Sequence, residues 1–150
     1  MRILLPVYGR DDAKLIVDFV CNYRWPPHST FKLIHVLGGS TDDKAAVLSQ
    51  ASAETLIVEL QRRVSALLPS VEISWEIVSG EAVLEIINAA NEWTADMIVM
   101  GYRKRNGMHE SAIASVAKAV AMQAPCSVAI ITLPKRKPTV VPNELLTAAQ

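Results

Sequence analysis

Five short apolar runs alternate along the chain with four stretches whose apolar residues recur at helical spacing. "RILLPV" (Arg2 to Val7) is a compact apolar run closed by Gly9, which predicts a buried strand. Pro6 has no amide to donate and so belongs near that strand's end. Asp11 and Asp12 suit the first turn of a helix, where the dipole favours negative charge. Leu15, Ile16, Phe19, Val20 and Tyr23 follow as its inward face, and Pro26 and Pro27 stop it. "FKLIHVL" (Phe31 to Leu37) predicts a second strand and "GGSTDD" a loop. A helix follows between Asp42 and Leu68, with Ala53, Leu56, Ile57, Leu60, Val64 and Leu67 as its core stripe and Pro69 as its end.

"VEISWEIV" (Val71 to Val78) alternates: Val71, Ile73, Trp75 and Ile77 share one face, Glu72, Ser74 and Glu76 the other. A strand with one wet face belongs at a sheet edge. Ser79 and Gly80 open a third helix with Val83, Leu84, Ile86, Ile87 and Ala90 inward. "DMIVMG" (Asp96 to Gly101) is a fourth strand, a helix runs from about Ser111 to Gln123, and Pro125 precedes the last strand, "CSVAIITL" (Cys126 to Leu133). The fold class is therefore α/β: a five-stranded parallel sheet with right-handed crossovers and helices on both faces. Order 3-2-1-4-5 puts the wet third strand at one edge. The fifth strand, apolar on both faces, then lies at the other edge. A bare apolar edge invites pairing, and a homodimer through Cys126–Leu133 is the expectation. Residues 1–133 form one domain. The tail from Pro134 to Gln150 carries "KRK" and reads as an extended arm.

Composition adds limits. The 150 residues make one domain with room for a core. Lys and Arg total 15, as do Asp and Glu, so no global field marks a nucleic-acid or membrane-surface binder. No run approaches the ~18 apolar residues of a membrane span, and the early charges of "MRILLPVYGRDD" do not suit a signal peptide, so a cytoplasmic protein is expected. Cys21 and Cys126 form no paired motif and read as small buried apolar residues.

In an open doubly wound sheet, ligands sit beyond the carboxyl ends of the strands, where strand order reverses. Here that point lies between "VYGR" (Val7 to Arg10) and "MGYRK" (Met100 to Lys104). The loop "GYRKRNG" joins a strand to a helix, the usual place for a phosphate cradle. It carries Arg103, Lys104 and Arg105 rather than a run of glycines, and reads as a solvated charged loop before an anion clamp. His35, inside an apolar run, reads as a hydrogen-bonded core histidine. His28 and His109 lack metal-ligand spacing. His109 and Glu110 suit a helix cap. Trp75 and Trp93 read as core.

"RILLPV", "LIHV" (Leu33 to Val36), "SGEAVLEIINAANEWTADMIVMG" (Ser79 to Gly101) and "ASVAKAVAMQAPCSVAII" (Ala114 to Ile131) together resemble the universal stress protein family over about residues 1–133. The resemblance implies a Rossmann-like sandwich of the adenine nucleotide alpha hydrolase type, commonly dimeric through the last strand. One branch of that family binds ATP through a loop of Gly, two residues, Gly, nine residues, Gly, then Ser or Thr, helped by an Asp just after the first strand. Here the loop positions fall on Gly101, Lys104, Ala114 and Ser115, and the Asp position on Tyr8. Candidate nucleotide or anion contacts carried over are Val7, Tyr8, Arg10, Val36, Met100, Gly101, Lys104, Ala114, Ser115 and Val116.

Three of those five motif positions depart from the pattern. Glycine lets the main chain approach a phosphate and take positive φ; another residue held there costs roughly 1–3 kcal/mol. The missing Asp forfeits roughly 1.5–3 kcal/mol of charged hydrogen bonding. With neither loop nor crevice adapting, affinity is expected to fall by about two orders of magnitude or more. Tyr8 is expected to plug the crevice. The resemblance then implies a regulatory or protective dimer that acts through protein contacts, without a cofactor and without catalysis. The alternative is an ATP- or AMP-binding protein, with Mg²⁺, whose basic loop replaces the glycine amides. A phosphorelay receiver needs an Asp where the third strand ends in Val78, Ser79 and Gly80. An adenylating enzyme needs a Ser/Gly-rich loop where "VYGRDD" stands.

Overall fold

The computed structural model describes residues 1–39, 43–102 and 112–132. Nine elements alternate: β1 (Arg2–Pro6), α1 (Arg10–Asn22), β2 (Thr30–Leu37), α2 (Asp43–Leu67), β3 (Glu72–Ser79), α3 (Ala82–Glu92), β4 (Met97–Tyr102), α4 (Ala112–Gln123) and β5 (Ser127–Thr132). All strand pairs are parallel, and the sheet order is β3-β2-β1-β4-β5, as the patterning predicts.

Alternation of side chains along the strands divides the core in two. Ile3, Leu5 and Val7 of the first strand segment, with Phe31, Leu33, Ile73 and Val99, face α1 and α2, which contribute Ile16, Val17, Val20, Ile57, Leu60 and Val64. Leu4, Ile34, Ile98 and Met100 face the other way, onto Ile86, Ala89 and Ala90 of α3 and Ala117 and Val120 of α4. The small residues of α3 and α4 let those helices lie close to the sheet. Burying one Ile or Leu contributes roughly 1.5–3 kcal/mol, so these two layers supply most of the drive to fold.

Several side chains expected inward are not. Tyr23 is the C-cap of α1 and is exposed, Leu67 lies exposed in the last turn of α2, and Leu84 is exposed on α3. Each sits at an element end, where the helix has passed or not yet reached the sheet. Trp75 is 38% exposed, because the β3 edge leaves its outer side uncovered; its indole N–H donates to Gln61 Oε1 at 3.0 Å. Gln61 in turn donates to Ile73 O at 3.0 Å, so α2 clasps the edge strand through polar groups. The cysteines are free and only partly buried. α3 is opened by Glu81, whose carboxylate accepts from the amides of Val83 and Leu84, while Ser79 still belongs to β3. The arm from Pro134, Leu133, the His109–Glu110 pair and the basic triplet at 103–105 lie outside the described residues.

Candidate functional site

β1 and β4 pair only at Ile3↔Met97 and Leu4↔Ile98, whereas β1 pairs with β2 as far as Pro6↔Ile34 and β4 with β5 as far as Tyr102↔Thr132. The two central strands therefore separate toward their carboxyl ends, at the point where strand order reverses. The gap is a cavity of about 250 Å³ lined by Val7, Tyr8, Asp12, Val36, Met100, Gly101 and Val116, with Gly38, Gly80, Ala82 and Ile86 among its other walls. Its wall is mostly apolar, and Asp12 is its one carboxylate among the described lining residues. The size is near the lower end of the roughly 300–1,000 Å³ common for small-molecule pockets.

The chain past β1 is held firmly. Val7 N donates to Ile34 O at 2.8 Å. Val7 O lies 2.8 Å from His35 Nδ1. A carbonyl only accepts, so Nδ1 carries a proton and donates it to Val7 O. His35 is thus hydrogen-bonded as expected, and half-buried.

The start of α1 is built around Asp12. Its carboxylate accepts from Tyr8 N at 2.6 Å and Gly9 N at 2.7 Å, and Asp12 is 5% exposed. A helix N-terminus leaves backbone donors without helical partners, and here a side chain of the same helix satisfies part of that need. Burial pushes the Asp12 carboxyl above its ordinary 3.8, while amides of Tyr8, Gly9, Asp12 and Ala13 pull it back down. Sequence reading placed Asp12 at a helix start but gave it no place in the site. A carboxylate four positions after Tyr8 was the available signal.

Gly101 has a tertiary reason to lack a side chain. A Cβ there would stand 2.8 Å from Asp12 O and 3.0 Å from Asp12 Cβ. The first turn of α1 therefore rests directly on β4, and this contact alone requires the first glycine of the loop pattern.

The structure brings Val7, Tyr8, Val36, Met100, Gly101 and Val116 together around the gap. Tyr8 does not plug it: the residue is 66% exposed and stands at the rim, because its amide is drawn to Asp12 and its ring is turned to solvent. Arg10 does not reach the gap. It lies on the exposed side of α1, 3.3 Å from Glu59 Oε2 of α2. It lines instead a neighbouring groove of about 730 Å³ with His35, Leu48, Ser49, Ser52 and Leu56, which shares Tyr8, Val36 and Gly38 with the gap. Lys104 lies outside the described residues. Ala114 and Ser115 lie in α4, but their side chains are likewise outside the described set. Among the described residues no group of three or more His, Cys, Asp or Glu is placed to hold a metal, and no helix is long and apolar enough to cross a membrane.

The Universal stress protein family model matches residues 1–132. A universal stress protein of Methanocaldococcus jannaschii is 34% identical over 67 residues, 45% of this chain and 39% of that protein, so the match spans about two fifths of the relative's length. Among solved structures, a hypothetical protein determined as a structural-genomics test case of function assignment superposes with a TM-score of 0.76 at 17% identity, covering 89% of this chain and 96% of that one. The universal stress protein of Archaeoglobus fulgidus in complex with dAMP gives 0.62 at 20% identity, covering 87% and 97%. At those identities the structures show a shared fold. The family match spans the sheet, its helices and the gap between β1 and β4, and this chain belongs to the universal stress protein family.

Proposed function

We propose that the protein is a non-catalytic regulatory dimer whose gap between β1 and β4 takes the base and sugar of an adenine nucleotide without gripping a triphosphate. The observation that carries this is the form of the cavity. It is apolar on most of its wall and bordered by Val7 and Gly101, while Lys104 and Ala114 stand where the triphosphate pattern asks for glycine. A flat, weakly polar ring suits such a wall; three phosphates need bare backbone amides. That a relative of the same fold is solved with dAMP supports the choice of ligand class. The dimer rests on the β5 edge, where Ile130 is 43% exposed and Val128, Ala129 and Ile131 are only partly covered. Regulation would then run through the paired surface and protein partners, in the cytoplasm.

Calorimetric titration with AMP and with ATP plus Mg²⁺ tests the ligand reading. Comparable affinities, within about threefold, are expected. ATP binding ten times tighter than AMP would overturn it and favour the reading in which the basic loop grips the phosphates. Sedimentation at micromolar concentration tests the dimer; a monomer there removes it.

A further inference from the structure

α2 outruns the strands that it covers. Its 25 residues span about 37 Å at the helical rise per residue, whereas the 8 residues of β2, and of β3, span about 26 Å. The buried stripe of α2 takes in Ala53, Ile57, Leu60 and Val64, but nearer its start Val47 and Leu48 stand 68% and 69% exposed. Between that overhang, the end of β2 and the start of α1 lies the groove of about 730 Å³ that Arg10 lines. A single exposed leucine is ordinary on a protein surface. Leu48 differs in its position, since it walls this groove together with Val36, Leu37 and Leu56. The groove is also opposite in charge to the gap beside it. Among the described lining residues the groove has no Asp or Glu, and Arg10 is its one Lys or Arg. The gap has Asp12 and, among the described lining residues, no Lys or Arg.

We propose that this groove is a second binding site, for an organic monocarboxylate with an apolar body, whose head meets Arg10 and whose body lies along Leu48, Leu56 and Val36. The volume falls within the range common for small-molecule pockets. The present partner of Arg10 is replaceable. The Arg10 and Glu59 side chains are 72% and 58% exposed, and an ion pair so open to water contributes little. A ligand carboxylate that brings apolar contact with it therefore displaces Glu59 at small cost. A guanidinium offers two parallel N–H donors that match the two oxygens of a carboxylate. One guanidinium also balances one negative charge, which favours a carboxylate over a phosphate dianion. Tyr8, Ser49 and Ser52 add hydroxyls to the lining. The proposal is independent of what the gap binds, because Arg10, Leu48 and Leu56 line the groove and not the gap.

The test is an NMR titration of the full chain with octanoate, octanol and acetate, which separates head from body. Octanoate should bind about tenfold tighter than octanol or acetate, with amide shifts centred on Tyr8, Leu48, Ser49 and Ser52. Arg10→Gln should weaken octanoate by about tenfold and leave octanol within about twofold. Leu48→Ser, which removes apolar contact, should weaken octanoate and octanol alike, by about three- to fivefold. Both side chains are largely exposed, so neither change threatens the fold. AMP titrations should be the same for Arg10→Gln as for the unaltered protein. Octanoate held no tighter than octanol, or held equally well by Arg10→Gln, overturns the proposal. So do octanoate shifts centred on Met100, Gly101 and Val116, which would put the acid in the gap, and so does the absence of any shift at millimolar octanoate. AMP binding weakened in Arg10→Gln would show groove and gap to be one site, which also overturns it.

Discussion

The two ends of the sheet are built on opposite principles. At the amino end, rings close the fold. Phe19 stacks on Tyr23 at 5.3 Å between centroids, Trp25 meets Phe19, Tyr23 and Phe31 at 5.9, 4.7 and 5.2 Å, and the Trp25 indole N–H donates to Val20 O. On the same side Arg2 N donates to Asp96 Oδ2 at 2.7 Å, and the Arg2 guanidinium bonds the Trp93 carbonyl and the Thr94 hydroxyl. Among the described residues the carboxyl end has no such cluster of rings. Glycines, a buried carboxylate and apolar residues border the gap, and the Tyr8 ring at its rim stands in solvent. The lesson is that the same parallel sheet can be sealed or left hollow by a few residues beyond each strand. The hollow end is where a ligand has something to displace.

If the amino end is the structural seal, removing its keystone should cost stability and nothing else. Trp25→Ala is expected to lower unfolding free energy by about 3 kcal/mol, read from the urea midpoint, with nucleotide titrations unchanged at temperatures where the variant is folded. Comparable loss of ligand affinity would dissolve the contrast. At the other end, Gly101→Ala should cost about 1–3 kcal/mol, because its methyl meets the Asp12 main chain and cannot be relieved by a rotamer. It should also abolish nucleotide-induced stabilisation, as α1 is displaced from β4. Retained binding would show that the gap is not the site. Tyr8→Ala should change stability by less than about 0.5 kcal/mol, since the ring is largely exposed; a change of several-fold in adenosine affinity with no change in the melting point would mark the ring as a ligand contact. A loss of stability would show instead that the ring packs.

The smallest expected effect is a gradient with pH. Burial raises the folded-state pKa of Asp12 above 3.8. The unfolded chain therefore releases that proton first as pH rises. The contribution of Asp12 is most favourable below the unfolded value, and it falls through the window between the two values. Denaturation midpoints measured from about pH 3 to 7 should decline more in the unaltered protein than in Asp12→Asn. Parallel curves would show that the amides of Tyr8 and Gly9 cancel the effect of burial, and a rise relative to Asp12→Asn that they outweigh it.

Much of the architecture is legible in the sequence. The alternation of Glu72, Ser74 and Glu76 with Val71, Ile73 and Ile77 marked β3 as an edge, and the prolines marked where helices had to stop. The errors fell where a helical stripe ran past the sheet: Leu67 and Leu84 continue the apolar period but have nothing left to cover. Tyr8 was misjudged for a related reason. Sequence shows that a bulky ring occupies a position, whereas the direction of the ring depends on where Asp12 holds the Tyr8 amide.

What the chain's own pattern determined is the identity and order of its elements, since period and chain breakers act locally and are written in consecutive residues. What only the tertiary structure decided is the gap: how far β1 and β4 separate beyond Leu4 and Ile98, which face Tyr8 presents, and that Asp12 and Gly101, far apart in the chain, touch. Those are relations between segments brought together by burial of the two core layers, and no local period encodes them.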